Sequence, residues 1–242
     1  MIVFTTILGQ TDPLRRPSRM DKGTRYVCFT DQPRRYLLNR GWHIEQVAPE
    51  ADPCKQSRRI KIMAHKAFPD ADVTLWVDAA YRLDTLPAKL LTLLGDSDMV
   101  AMRHPHRDRI TDEAKAIVKL GIVPAEDVYR QLAAYHADGF DTDADPQQAI
   151  TSTGFFLRRN SERVEEFERA WWAEVERHTY RDQMSIDYVI KKTGVTVAYI
   201  PGHYRNNPYA KFFLDHRSDA ARRQARGARV VRKVDGQAVS PA

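Results

Sequence analysis

Cysteine, long apolar runs and ordered glycine motifs are what this sequence has least of. Cys28 and Cys54 are the two cysteines among 242 residues, too few for a disulfide framework. Cys28 also lies in an apolar, strand-like run, so reduced thiols in a cytoplasmic protein are the expectation. The amino-terminal MIVFTTILGQTD turns polar too soon for a signal peptide or a membrane span and reads as a first strand. The eleven glycines form no GxGxxG after that strand, no Walker-type loop with Lys and Ser or Thr, and no GxSxG. These absences disfavour a conventional dinucleotide enzyme, a P-loop NTPase and a hydrolase of the nucleophile-elbow kind. Neither an internal repeat nor a low-complexity segment is evident.

What is present suits one large α/β domain or two small ones, since 43% hydrophobic content fills a core of ordinary size. The net charge of +6 is unevenly spread. From Arg217 to Ala242 there are seven Arg and Lys against two Asp, so the body from Met1 to His216 is close to neutral. This tail, with Arg222, Arg223, Arg226, Arg229, Arg232 and Lys233, has too few large apolar residues to bury a face. It reads as a solubilising tail, a surface helix, a flexible arm or a patch that contacts phosphates.

Period and composition place strands at Met1 to Leu8, Arg25 to Thr30, Trp42 to Val47, Val73 to Val77, Asp98 to Met102, Ile150 to Leu157 and, as the last, Val195 to Ile200. Helical patterns cover Ser57 to Phe68, Pro87 to Leu94, Thr111 onward, a second helix after Pro124 to about His136, Ser161 to His178, and Arg181 to about Lys192. The aromatics Phe167, Trp171 and Trp172 read as core. Asp138, Asp141, Asp143 and Asp145 imitate a calcium loop only superficially: counted from Asp141, Pro146 stands where glycine is needed and Ser152 where the closing Glu is needed. Gly154, inside its strand, allows a ligand or backbone to come close. Strands alternating with helices, with polar residues at strand ends, imply an α/β sandwich with a nucleotide-type cleft.

The most informative stretch is CKQSRRIKIMAHKAFPDADVTLWVDAAYRL, from Cys54 to Leu83. A basic helix feeds a short apolar strand that ends on Asp78. An acid at the carboxyl end of an interior strand opens onto the crevice where open α/β sheets bind ligands. With Arg58, Arg59 and Lys61 just upstream, the pattern suits a nucleotide diphosphate and a divalent ion. The alternative is an Asp that caps the next turn beside a solvated helix face.

The order of YVCFTDQP, the segment just quoted, the strand into RHPHR followed by Asp112 to Ala114, TSTGFFLRRN and RDQMSIDYV resembles a little-characterised glycosyltransferase-like family of bacteria, phages and plants, and more distantly the GT-A superfamily. The resemblance covers roughly Met1 to His216. It implies an α/β, GT-A-like fold of the nucleotide-diphospho-sugar transferase kind, with a mixed, mostly parallel sheet flanked by helices over residues 1–216, which leaves the basic tail over 217–242 outside it. It also implies transfer of a sugar from a nucleotide-sugar donor, a UDP-sugar in the first instance, to an acceptor hydroxyl.

Position by position, the resemblance puts Thr6 and Asp31 at the base and ribose, Arg58 and Lys61 at the diphosphate, and Asp78 at the first acid of the DxD metal element. The sequence departs at the second acid, which is Ala80. A Mn²⁺ or Mg²⁺ ion would then need another ligand, His216 or else His203. Asp182 and Gln183 match a pair at a helix start that contacts donor sugar or acceptor, with Asp182 a general base kept ionised by the helix terminus or simply an N-cap. His104 and His106, two residues apart after a strand, are expected on the acceptor side or as ordinary surface or core histidines. The missing acid and the tail charge motivate the other readings: a nucleic-acid-binding accessory protein, or a transferase acting on a modified DNA base.

Overall fold

The computed structural model describes residues 1–9, 12–36, 38, 41–143 and 149–213. His216, the basic tail and the Asp145-Pro146 part of the acidic loop lie outside the described residues. In chain order the elements are β1 (Ile2–Ile7), β2 (Arg25–Thr30), β3 (His43–Gln46), α1 (Pro53–Ile62), α2 (Ala64–Ala67), β4 (Val73–Val77), β5 (Tyr81–Leu83), α3 (Ala88–Leu94), β6 (Met99–Arg103), α4 (Ile110–Lys119), α5 (Ala125–Ala137), β7 (Thr151–Arg159), α6 (Glu162–Arg177), α7 (Ile186–Thr193), β8 (Val197–His203) and β9 (Ala210–Phe212). Single 3₁₀ turns occupy Pro33–Arg35 and Asp182–Met184.

Seven strands form one sheet in the order β3-β2-β1-β4-β7-β6-β8. All neighbours are parallel except β7, which runs antiparallel to both β4 and β6. The fold is therefore of the mixed, mostly parallel α/β class expected from the sequence, with helices flanking the sheet. Its strands are apolar on both faces because helices cover both. Alternation divides them: Phe4, Trp76 and Phe156 enter one core with Ile62, Phe68, Phe167 and Trp171, while Val3, Leu75, Phe155 and Leu157 enter the other with Leu90 and Val100. On α6, Val164, Phe167, Trp171 and Val175 recur at helical spacing and are all buried. Each such side chain contributes about 1.5–3 kcal/mol. Phe167 and Trp171 are thus core, as expected, and Trp172 is only partly buried.

Local boundaries differ from the sequence reading where side chains decide them. α1 begins at Pro53, ahead of Ser57, because the Asp52 side chain accepts from Lys55 N at 2.9 Å and proline suits a first helical position. The helix expected through Phe68 breaks at Met63, so α2 is a separate turn. Buried Arg158 holds that break: its guanidinium donates to the carbonyls of Ile62 (3.0 Å) and Lys61 at the end of α1, and pairs with buried Glu168 at 2.9 Å. Arg158 thereby satisfies carbonyls that the helix leaves open.

Two strands escaped the sequence reading. β5 and β9 pair antiparallel in a small second sheet, and Phe213 N donates to Ala80 O at 2.8 Å beyond it. β8 is accordingly not the last strand. Both Cys28, buried, and Cys54, exposed, are free thiols. Among the described residues no helix is long and apolar enough to cross a membrane.

Candidate functional site

The register of the sheet brings the polar strand ends to one edge. Ile7 lies beside Thr30, Val77 beside Phe155, and Arg103 beside Thr151, so the carboxyl ends of β1, β2, β4 and β6 and the amino end of β7 open together. Thr6, Asp31, Asp78 and His104 all belong to this edge, and the Asp182–Met184 turn docks on it through Thr153. It is the crevice side of an open α/β sheet.

Asp78 sits where β4 leaves the sheet. Its N–H donates to Gly154 O at 2.9 Å, which extends the β4–β7 ladder by one bond, and its carbonyl accepts from Tyr81 N at 2.8 Å as the chain turns into β5. Its Oδ1 accepts from Ala80 N at 3.0 Å. Asp78 therefore does cap its turn, with one carboxylate oxygen, and the half-exposed side chain belongs to the crevice edge. The close approach that Gly154 allows is that of Tyr81: a Cβ at this position would lie 2.8 Å from the Tyr81 ring. Gly154→Ala is expected to cost about 1–3 kcal/mol through overpacking beneath Asp78, read as a lower midpoint in urea unfolding. An unchanged midpoint would mean that Tyr81 yields freely.

Asp78 can be tested as the seat of a cation by its donor set. Ala80, at the second acid position, is buried, and among the described residues no group of three His, Cys, Asp or Glu side chains converges. His203 keeps one ring nitrogen in use, with Nδ1 accepting from Arg205 N at 3.1 Å. A single carboxylate fits Mg²⁺ or Mn²⁺ only when diphosphate oxygens and water supply the remaining positions, which is the manner in which Mg²⁺ usually binds.

Arg58, Lys61 and Asp182 form one buried ion cluster. Lys61 Nζ donates to Asp182 Oδ2, Arg58 Nε stands 3.4 Å from the same oxygen, and Thr153 Oγ1 donates to Oδ1 at 3.4 Å. Lys61 is 2% exposed and Asp182 1% exposed, so these two face each other and not the crevice surface. The Arg58 side chain retains 18% exposure. Burial alone would raise the Asp182 carboxyl, but Arg58 and Lys61 override it and hold it at about 2. Burial also lowers Lys61 to about 8 against the pull of Asp182, while Asp182 drives Arg58 further up. The Asp182 side chain caps no helix. Cations, in place of the expected helix terminus, keep it ionised. Gln183 is occupied at both ends of its amide, accepting from Thr153 N at 3.2 Å and donating to Thr151 O, and so pins its turn to β7.

On the other side of the edge, Thr6 shares a hydrogen bond with Ser57 of α1. Asp31 Oδ2 accepts from Gly9 N at 3.0 Å, while its Oδ1 is buried without a partner among the described residues. A cleft of about 490 Å³ opens beside it, between Asp31, Gln32, Arg34, Arg35 and Gln46. A larger cavity of about 680 Å³ lies between Asp138, Phe140, Tyr188 and Lys192, and shares no residue with the strand-end cluster.

His104 follows β6, with His106 at 6.4 Å and Tyr204 at 6.0 Å between ring centroids. Burial and the neighbouring Arg107 lower His104 to about 3. The structure thus brings His104 and His106 together at the crevice edge. Ser57, Glu113 and Tyr204 were not singled out by the sequence as site residues, and Arg181 only as the start of the element that carries Asp182 and Gln183. They come into play through long-range contacts that leave no local pattern.

Residues 1–217 match the model of a domain described as TOD1/MUCI70, glycosyltransferase-like. Among curated proteins, the chain is similar to the probable hexosyltransferase MUCI70 of Arabidopsis thaliana, at 24% identity over 226 residues covering 82% of this chain. The chain spans 39% of that relative's length. Among solved structures, the apo form of the bifunctional glycosyltransferase WbbM is similar with a TM-score of 0.44 and 11% identity, over 83% of this chain and 38% of that one.

Proposed function

The chain belongs to the TOD1/MUCI70 glycosyltransferase-like domain family, and from that premise we propose that it transfers a sugar from a nucleotide-sugar donor to an acceptor hydroxyl. The observation that carries the reading is the half-exposed Asp78 at the open end of β4, with Arg58, 18% exposed, on the α1 helix that packs against the neighbouring strand β1. The unpartnered Asp31 Oδ1 and the neighbouring cleft support a base or ribose seat at the end of β2. Arg58 then faces the diphosphate, and Asp78 holds a Mn²⁺ or Mg²⁺ ion together with it. Such an ion supplies neutralisation of the charge that develops on the leaving phosphate.

The other assigned residues act one layer down. Lys61 and Asp182 fix the guanidinium of Arg58, so Asp182 serves as a positioning residue; a carboxyl held at about 2 is a weak proton acceptor near neutral pH. Gln183 aligns the start of β7. His104 and His106 belong to the acceptor side. Calorimetry with UDP-, GDP-, CMP- and ADP-sugars, each with and without Mn²⁺, tests the scheme. One donor is expected to bind, more tightly with the ion, and a folded sample that binds none of them removes the reading.

A further inference from the structure

Positive charge collects around His104. Arg107 follows it in the turn after β6, Arg181 precedes the Asp182–Met184 turn, and Arg205 comes from the loop after β8; all three guanidinium groups act on its imidazole. Glu113 of α4 is buried and shared, 3.3 Å from Arg107 Nε and 3.1 Å from Arg181 Nη2. Asp182 also acts on Arg181 but is already taken up by Arg58 and Lys61. Arg205 stands over the Tyr204 ring at 5.4 Å, and that ring meets His104 edge-on. His104 Nδ1 accepts from His106 N at 3.2 Å, which fixes the remaining Nε2–H as a neutral donor. Three guanidinium groups, one shared carboxylate and a fixed N–H make a surface complementary to an anion.

The place of this cluster separates it from the diphosphate. Along the order β4-β7-β6, His104 lies two strand spacings, about 10 Å, from Asp78. The ends of β1 and β2, with the Asp31 cleft, lie on the opposite side of Asp78. We propose that His104, Arg107 and Arg205 bind a carboxylate or phosphate group of the acceptor, so that the acceptor is an anionic molecule. This inference rests on the transferase reading. It selects the acceptor by charge: a neutral acceptor would leave the cationic excess uncompensated as the crevice fills.

Histidine-ring NMR on the full chain is the test, with inorganic phosphate, glucuronate and glucose as probes. Phosphate or glucuronate is expected to move the His104 signals and to raise its titration midpoint by about one pH unit, with glucose inert. Whichever anion acts identifies the carboxylate or the phosphate source. Arg205→Gln, at an exposed position, is expected to weaken that anion roughly tenfold and to leave donor affinity in calorimetry unchanged. Donor binding with His104 silent to every anion overturns the proposal while the transferase reading stands. An anion displaced by UDP overturns it too, since the cluster would then seat the donor diphosphate. No donor binding at all takes away the transferase reading, and the acceptor assignment with it.

Discussion

Asp78→Asn is expected to lower turnover by about 10²–10³-fold while leaving the fold intact, the size of loss seen when one group that stabilises developing charge is removed. Both halves of this expectation come from the geometry. The amide oxygen of Asn can accept from Ala80 N as Asp78 Oδ1 does, and the backbone bonds to Gly154 O and Tyr81 N do not involve the side chain. Stability should therefore move by no more than about 0.5 kcal/mol. What is lost is the charge a divalent ion needs. Donor affinity measured by calorimetry should consequently lose its gain from Mn²⁺, a readout independent of catalysis. Nucleotide release near the wild-type rate would dismiss Asp78 as the cation's seat.

Asp182→Asn should behave in the opposite way, as a stability variant first. It leaves Lys61 and Arg58 buried without their carboxylate, and breaking a buried pair costs about 3–5 kcal/mol. The low end applies, since Arg58 is 18% exposed and Lys61, lowered to about 8, gives up its proton readily. In a domain of this size about 3 kcal/mol lowers Tm by roughly 6–12 °C. The pH dependence has a definite sign. The folded carboxyl of Asp182 titrates at about 2, below its ordinary 3.8, so its contribution is present above the ordinary value and is lost as pH falls through the folded one. The variant lacks that part of the acid limb. Adding Lys61→Met to Asp182→Asn should recover part of the loss, since an apolar side chain there meets Trp76, Phe156 and Trp171. Equal melting temperatures for Asp182→Asn and wild type would mean that the cluster is not the tie described.

The sheet was legible in the sequence because its strands carry local signals. The run from Val73 to Val77 is apolar and β-branched between turn residues, and the observed β4 has those bounds. The position of Asp78 follows from that strand alone. The cluster at Asp182 was not legible, because Lys61 and Asp182 are distant in sequence and meet only when α1 packs on β1 and α6 while the Asp182–Met184 turn packs on β7. A basic helix next to an acidic strand end reads as a ligand site from sequence, and only the packing reveals that half of its charge is spent internally. β5 and β9 escaped for a different reason: three residues each are too short for alternation to register.

The pairing of β5 with β9 also sets an order in time. Roughly 130 residues of chain close between them, so their contacts are rewarded only after a large loop-closure entropy has been met. The ladder between β1 and β2 joins far nearer segments. The corner that follows Asp78 is thus expected to be among the last parts of the domain to assemble. Its strands pair in a two-stranded sheet apart from the main one, so although Tyr81 and Leu83 are buried it is expected to open before the central strands. Amide hydrogen exchange should reach Tyr81 to Leu83 well before the central strands β1 and β4, so that the crevice can lose its wall beside Asp78 while the rest of the molecule stays folded.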